Sequence, residues 1–353
     1  MTAAGSVGTV DEASGAESLA ATVARATEGA RYVSTGALPP PERLQALVDD
    51  AYERYLPVAE GEVSQGYPEL AEVSPDRFGL AVVTTTGRQH TAGDADLPFA
   101  IMSVAKAFTL ALVCDAVGPE EVRDRVGANA TGLPFDSVAA VERGPGGRTN
   151  PMVNPGAIAT TSLAPGTDAA ERWALLRDGM SRFAGHHLDL SEDLVASAQA
   201  VNFRNQATAR LLRGADVLGC DPDEAVAVYT RQSCLLVTAR DLAVMGATLA
   251  DGGVNPLTHE RVVGEEVCHA VLAVMTTAGL YEGSGDWLFD VGLPGKSGIG
   301  GGIVTVSPGK GALGTFAPPL DPAGNSVRGQ LAAAYLSRSL GLDIFASAVD
   351  SQS

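Results

Sequence analysis

A serine and a lysine three residues apart stand out in "FAIMSVAKAFTLALV", which runs from Phe99 to Val113. Lys106 is the only charge in an otherwise apolar run, and taking a lysine out of water is costly unless it is paired or neutralised. Ser103 lies one helical turn before it, so its hydroxyl is expected on the same face and within reach of the amine. This is the S-x-x-K pattern: a serine nucleophile, and a lysine whose pKa burial can lower until it takes the hydroxyl proton. A snorkelling lysine and a helix-capping serine would fit the same residues. A second element is needed to decide.

That element is "VGLPGKSGIGGGIVTV", residues 291 to 306. A phosphate loop requires G-x-x-x-x-G-K-[ST] followed by a helix, but Asp290 stands where the first glycine belongs, and "GIVTV" reads as a strand. A Lys-Ser-Gly triplet entering a strand instead resembles the K-T-G of the penicillin-recognising serine hydrolases, which lines the site beside S-x-x-K. Lys296 is then expected to set the electrostatics and strand edge of that site and to stand among its substrate-binding residues. Further polar groups follow. "RTNPMVNPGAIATTSL" places Asn150 and Asn154 around a proline turn, and "NFRNQATARLL" places Asn205 at the head of a helix. Each fits either a cleft residue or a turn former or N-cap. Tyr229 and Tyr281 fit either catalytic groups or half-buried core tyrosines.

The elements that must position these residues follow from periodicity. "ERLQALVDDAYERYLPV" carries Leu44, Leu47, Val48, Ala51 and Tyr55 at three- and four-residue steps, which predicts an amphipathic helix. "FGLAVVTTTGRQHTAGD" predicts two short strands around a Thr-Gly turn, and "GIVTVSPGKGALGTFAPP" mirrors it near the other end. Between them, from about 100 to 289, apolar positions recur at helical spacing. The expected fold is α/β (α+β): an antiparallel-rich sheet from both chain ends flanked by helices, at 37–100 and 290–345, with an all-helical domain inserted at 101–289. Residues 1–36, rich in Ala, Gly, Thr and Ser, are expected to form a disordered tail.

Composition excludes several roles. The 353 residues are 45% hydrophobic, enough for a sizeable core. Lys plus Arg number 24 against 42 Asp plus Glu, a formal net charge of −18, so nucleic acid is not expected as a partner. The N-terminus has no basic residue before Arg25 and no apolar core, so neither a signal peptide nor a membrane span is expected, and the location is read as cytoplasmic. Cys114, Cys220, Cys234 and Cys268 form no C-x-x-C pair and are read as small core residues, and no two histidines have helical ligand spacing. No metal is expected.

Together these motifs resemble the serine-dependent glutaminases, enzymes of β-lactamase-like fold that hydrolyse glutamine to glutamate and ammonia. The resemblance runs from about residue 42 to 340. It rests on "SVAK", "NPMVNPGAIATTSL", "FRNQA", "YTRQSC", "ARDLAVMGATLADGG", "GLY", "VGLPGKSGIGGGI" and "PPLDPAGNSVRG", in that order. It implies Ser103 as nucleophile, Lys106 as its base, and Tyr281 as the proton shuttle to ammonia. Asn154, Asn205 and Tyr229 would hold the substrate's α-carboxylate and neighbouring polar atoms. The backbone N–H groups of Ser103 and Ile299 would form an oxyanion hole. The resemblance further implies a small-molecule substrate, no cofactor, and a homodimer or homotetramer.

Four departures stand against it. Gly66 occupies the place of the family's tyrosine, with Tyr67 one residue late. "NATG" at 129–132 replaces Glu-Pro-Ser-Gly, and Gln232–Cys234 reads "QSC" where the family has Gln-Cys-Ser. Seven residues before Asn205, Ala198 replaces a glutamate that pairs with the substrate's α-ammonium. Glu192, six residues from Ala198, would point from another helix face. Three readings follow: a glutaminase, a serine amidohydrolase acting on an amide without a free α-amino group, or a non-catalytic binding protein of the same fold.

Overall fold

A computed structural model describes residues 38–346. The tail expected at 1–36 lies outside the described residues. The central sheet has five antiparallel strands: β1 (Gly79–Thr84), β2 (Gln89–Gly93), β3 (Gly295–Ser297), β4 (Gly302–Ser307) and β5 (Gly311–Phe316), in the order β2-β1-β5-β4-β3. Strands from the two ends of the described chain meet where β1 pairs with β5, with Leu80 opposite Thr315 and Val82 opposite Leu313. The β-rich motifs at both ends thus become neighbours in one sheet.

The alternation of side chains across the sheet divides the core. Leu80, Val82, Ile303 and Leu313 pack with the helices Pro41–Tyr55 and Val327–Leu340. Ala81, Val83, Val304, Val306, Ala312 and Phe316 face the opposite way and join the larger core of the helical region. The helix Ala239–Ala250 lies directly on this second face, and two glycines permit the approach. A Cβ on Gly314 would sit 2.0 Å from the Ala239 carbonyl oxygen, and one on Gly246 would sit 2.6 Å from the Ala312 Cβ. The mixed helix and antiparallel sheet expected from periodicity is the architecture observed.

The run that drew attention first forms the helix Ala105–Val117, whose residues from Ala105 to Cys114 are all buried. A helix apolar on every side has no solvent face and must be enclosed. It packs against the helices Pro119–Val126, Asn154–Ser162, Ala169–Ala184 and Glu265–Ala278. Lys106 therefore has no route by which to snorkel. A short antiparallel ladder of Phe99–Ala100 with Leu236–Val237 fixes the chain as it enters this helix. Among the described residues, no single helix is long and apolar enough to cross a membrane. The four cysteines are buried free thiols.

Candidate active site

Ser103 occupies a single 3-10 turn, Met102–Val104, that feeds into the helix Ala105–Val117. The residue before it, Met102, has φ +48°, a left-handed conformation that a side-chain-bearing residue holds only when its surroundings impose it. Tyr281 has the same character, with φ +57°. The end of β3 closes in from the other side: a Cβ on Gly298 would lie 3.1 Å from the Ser103 nitrogen and 3.0 Å from the Ile101 carbonyl oxygen. The glycine lets the Lys-Ser-Gly strand end pass this near the serine without displacing its neighbours, and Ile299, the next residue, lines the same cavity.

That cavity, about 130 Å³, is walled by Tyr67, Met102, Ser103, Phe135, Asn154, Ala198, Asn202, Asn205, Tyr229, Thr230, Ser233, Cys234 and Ile299. Five expected site residues, Ser103, Asn154, Asn205, Tyr229 and Ile299, thus share one pocket. Tyr281 OH donates to the Ser297 carbonyl at 3.4 Å, and its ring lies 4.5 Å from that of Phe135.

Lys106 is 2% exposed and its Nζ donates to Asn154 Oδ1 at 2.6 Å, while Tyr229 OH donates to the same oxygen at 3.0 Å. Among the described residues it makes no direct hydrogen bond to Ser103; the amine is held by the pocket's amide instead. Burial is the larger influence on this amine and lowers its pKa to about 7, against a smaller opposing pull from Asp136. A neutral amine can donate N–H to Asn154 and keep a lone pair free for a proton. Burial likewise raises the Tyr229 phenol well above its ordinary value and pushes Tyr281 up to about 12, so both stay protonated at neutral pH.

Lys296 departs from expectation. It is 0% exposed and does not reach the pocket wall; its Nζ lies 4.1 Å from the centre of the Tyr281 ring and donates to the carbonyls of Gly279 (2.8 Å) and Ser297 (2.7 Å). Burial, and to a lesser degree Lys106, drive its pKa far down. Two of its N–H groups serve two buried carbonyls. Its place is a layer back, supporting Tyr281. Asn150 also resolves: its Nδ2 donates to the Ala128 and Asn129 carbonyls and to Thr277 Oγ1, and its Oδ1 accepts from the Met152 N–H. It is a turn former, and Asn154, four residues on, is the one that faces the cleft.

Two departures find structural answers. Tyr67 lines the pocket despite its one-residue offset, so the loop before the turn Pro68–Ala71 absorbs the slip. Glu192 is exposed and lies 3.6 Å from Arg231, on a face other than that of the pocket-lining Ala198, as helical spacing implies. Sequence reasoning missed Asn202, Thr230 and Ser233. Asn205 Nδ2 donates to Asn202 Oδ1 at 2.6 Å, and Asn202 Nδ2 donates to Thr230 Oγ1 at 2.7 Å, a relay along the wall. The Asn-x-x-Asn spacing at a helix head was the signal available for Asn202.

A family model described as Glutaminase matches residues 61–345. The chain belongs to the glutaminase family. Among its relatives, Glutaminase 2 of Yersinia pestis is 61% identical over 316 residues, spanning 90% of this chain and 93% of that protein. A solved structure titled probable glutaminase ybaS superposes with a TM-score of 0.86 at 45% identity, covering 88% of this chain and all of that one. The glutamate form of Mglu superposes with a TM-score of 0.82 at 39% identity, covering 86% of this chain and 70% of that one. The expectations of a glutaminase-type amidohydrolase and of a β-lactamase-like fold are borne out. The reading as a non-catalytic binding protein falls with them.

Proposed function

We propose that this glutaminase-family amidohydrolase cleaves the side-chain amide of L-glutamine through an acyl-enzyme on Ser103. Lys106 takes the hydroxyl proton as Ser103 Oγ attacks the amide carbon. The backbone N–H groups of Ser103 and Ile299 receive the oxyanion, and Tyr281 passes a proton to the departing nitrogen, which leaves as ammonia. Water then attacks the ester carbonyl and gives a proton to Tyr281, restoring its phenol, while Lys106 returns its proton to Ser103 Oγ as glutamate leaves. Asn154, Asn205 and Tyr229 orient the substrate, and Lys296 holds Tyr281 in place. The observation that carries this reading is the amine of Lys106: buried, lowered to about 7, hydrogen-bonded to a pocket amide, and one turn from a pocket serine.

Ammonia release from L-glutamine, with Ser103→Ala as control and D-glutamine, asparagine and N-acetylglutamine alongside, tests it. Turnover of L-glutamine that vanishes in the variant supports it. Turnover of N-acetylglutamine alone would favour the second reading, an amide without a free α-amino group, which the lack of any ionised side chain in the pocket wall supports. The protein is further read as a cytoplasmic homodimer or homotetramer. Buried free thiols support the compartment, and the exposed Phe203 and Phe289 support self-association, which sedimentation would test.

A further inference from the structure

L-Glutamine brings an α-ammonium into a cavity whose wall contains hydroxyls, amides, a thiol and apolar groups but no carboxylate. An ammonium enclosed without a counter-charge would lose much of its solvation with little return. Three carboxylates lie near wall residues along the chain, outside the wall itself. Asp136, next to Phe135, pairs with Arg204 at 3.0 Å, and Glu192 is turned outward toward Arg231. The third is Glu69, on the turn Pro68–Ala71, two residues after the pocket-lining Tyr67.

Glu69 is built differently from the other two. Its Oε1 accepts a hydrogen bond from Ser197 Oγ at 2.6 Å, which ties it to the residue beside Ala198. Its Oε2 is buried and has no hydrogen-bond partner, and no cation pairs with the carboxylate among the described residues. Together with burial, this carboxylate pushes up the pKa of Cys234, itself a wall residue. Leu70, Ala198, Cys234 and Tyr67 pack in one small cluster, so the turn that carries Glu69 is pressed onto the wall just where Ala198 offers only a methyl group. A buried carboxylate oxygen without a partner is costly to keep. An incoming ammonium would supply what it lacks.

We infer that Glu69, tied by Ser197 to the residue beside the pocket-lining Ala198, is the specificity-determining carboxylate that turns to bind the substrate's α-ammonium. This rests on the glutamine reading above.

The test compares two substrates with the same amide, L-glutamine and glutaramate, in which hydrogen replaces the α-amino group. Both are assayed with the wild-type protein and with Glu69→Gln. In the variant, kcat/KM on L-glutamine should fall about 10- to 100-fold, the effect of losing a hydrogen bond to a charged group. The value on glutaramate should stay within about twofold. Introducing Ala198→Glu into Glu69→Gln should restore preference for the amino group. Equal loss on both substrates, or no loss on either, would overturn the inference. Should Glu69→Gln not fold, Glu69→Asp carries the same comparison by withdrawing the carboxylate one methylene, and an unchanged substrate ratio would again overturn it. Absence of L-glutamine turnover by the wild-type protein would instead remove the glutamine reading on which the inference stands.

Discussion

The two ends of the pocket are built on opposite principles. At the reaction end, Ser103, Lys106 and Tyr281 are enclosed, with Lys296 behind them, and burial has lowered both amines and raised the phenol. At the recognition end, Ala198, Asn202, Asn205, Thr230 and Ser233 are neutral groups on the ends of helices, joined by amide and hydroxyl hydrogen bonds. Reactivity at one end comes from removing water from ionisable groups, and the lining of the other end positions the substrate through the direction of its dipoles. Disruption of the first should therefore appear in kcat and in stability, and disruption of the second in KM.

The largest contrast is expected from Lys106→Met. Removing the base should lower kcat at neutral pH by about 10³-fold or more, within the range for groups that act as a unit in nucleophilic catalysis. The same change should raise the melting temperature, because Met fills a similar volume without a buried amine and Asn154 Oδ1 retains the Tyr229 donor. The sign with pH follows from linkage. The folded-state pKa of Lys106, about 7, lies below the ordinary value of 10.5, so the unfolded chain holds the extra proton between them and wild-type stability rises with pH across that window. The advantage of the variant should be full below pH 7 and shrink toward pH 10.5, as thermal melts across that range would read. A variant less stable than wild type at pH 6 would break the contrast.

Gly298→Val comes next. Its Cβ would press on three backbone atoms, Ile101 O, Ser103 N and Val104 N, at 3.0 to 3.2 Å. Shifting the strand end by a fraction of an ångström from the serine should cost up to about 10²-fold in kcat, with a smaller change in KM, because such displacements act on attack geometry. A steady-state assay separates the two. The wild-type pH profile is gentler: kcat/KM on L-glutamine should climb about tenfold per unit on the acid side and level off near pH 7 as Lys106 loses its proton. A profile flat from pH 5.5 to 8 would deny Lys106 its role as base.

Legibility in the sequence divides along the same line. Ser103 and Lys106 were readable because an apolar run leaves a lone lysine no solvent face, and β4 was readable because "GIVTV" is β-branched and bounded by glycines. Their positions follow from local periodicity. The wall does not, because it is assembled from segments near residues 67, 135, 198 and 230 that only tertiary packing brings together. Asn150 and Asn154 have the same residue type within the same proline-containing segment, and only the folded chain gives one to Thr277 and the other to Lys106. Lys296 shows the limit from the other side. Its motif places it on the strand edge, but its distance from the cavity depends on Tyr281, whose φ of +57° no periodicity encodes.

Asn202→Ala offers the smallest and most selective effect. Asn202 holds Asn205 on one side and is held by Thr230 on the other, so it acts on the substrate through Asn205 and is a positioning residue. Its loss should free the Asn205 amide, raise KM for L-glutamine about tenfold, near the worth of one or two hydrogen bonds, and leave kcat within about twofold. Asn202 also stands at the N-cap of the helix Phe203–Gly214 but makes no side-chain cap bond, so the melting temperature should move little. Thr230→Val removes the hydroxyl that holds Asn202 while preserving shape, and should reproduce part of the KM rise. If either variant lowered kcat as Gly298→Val does, the relay would belong to the reaction end, and the division of the pocket into a dehydrated half and a dipolar half would not hold.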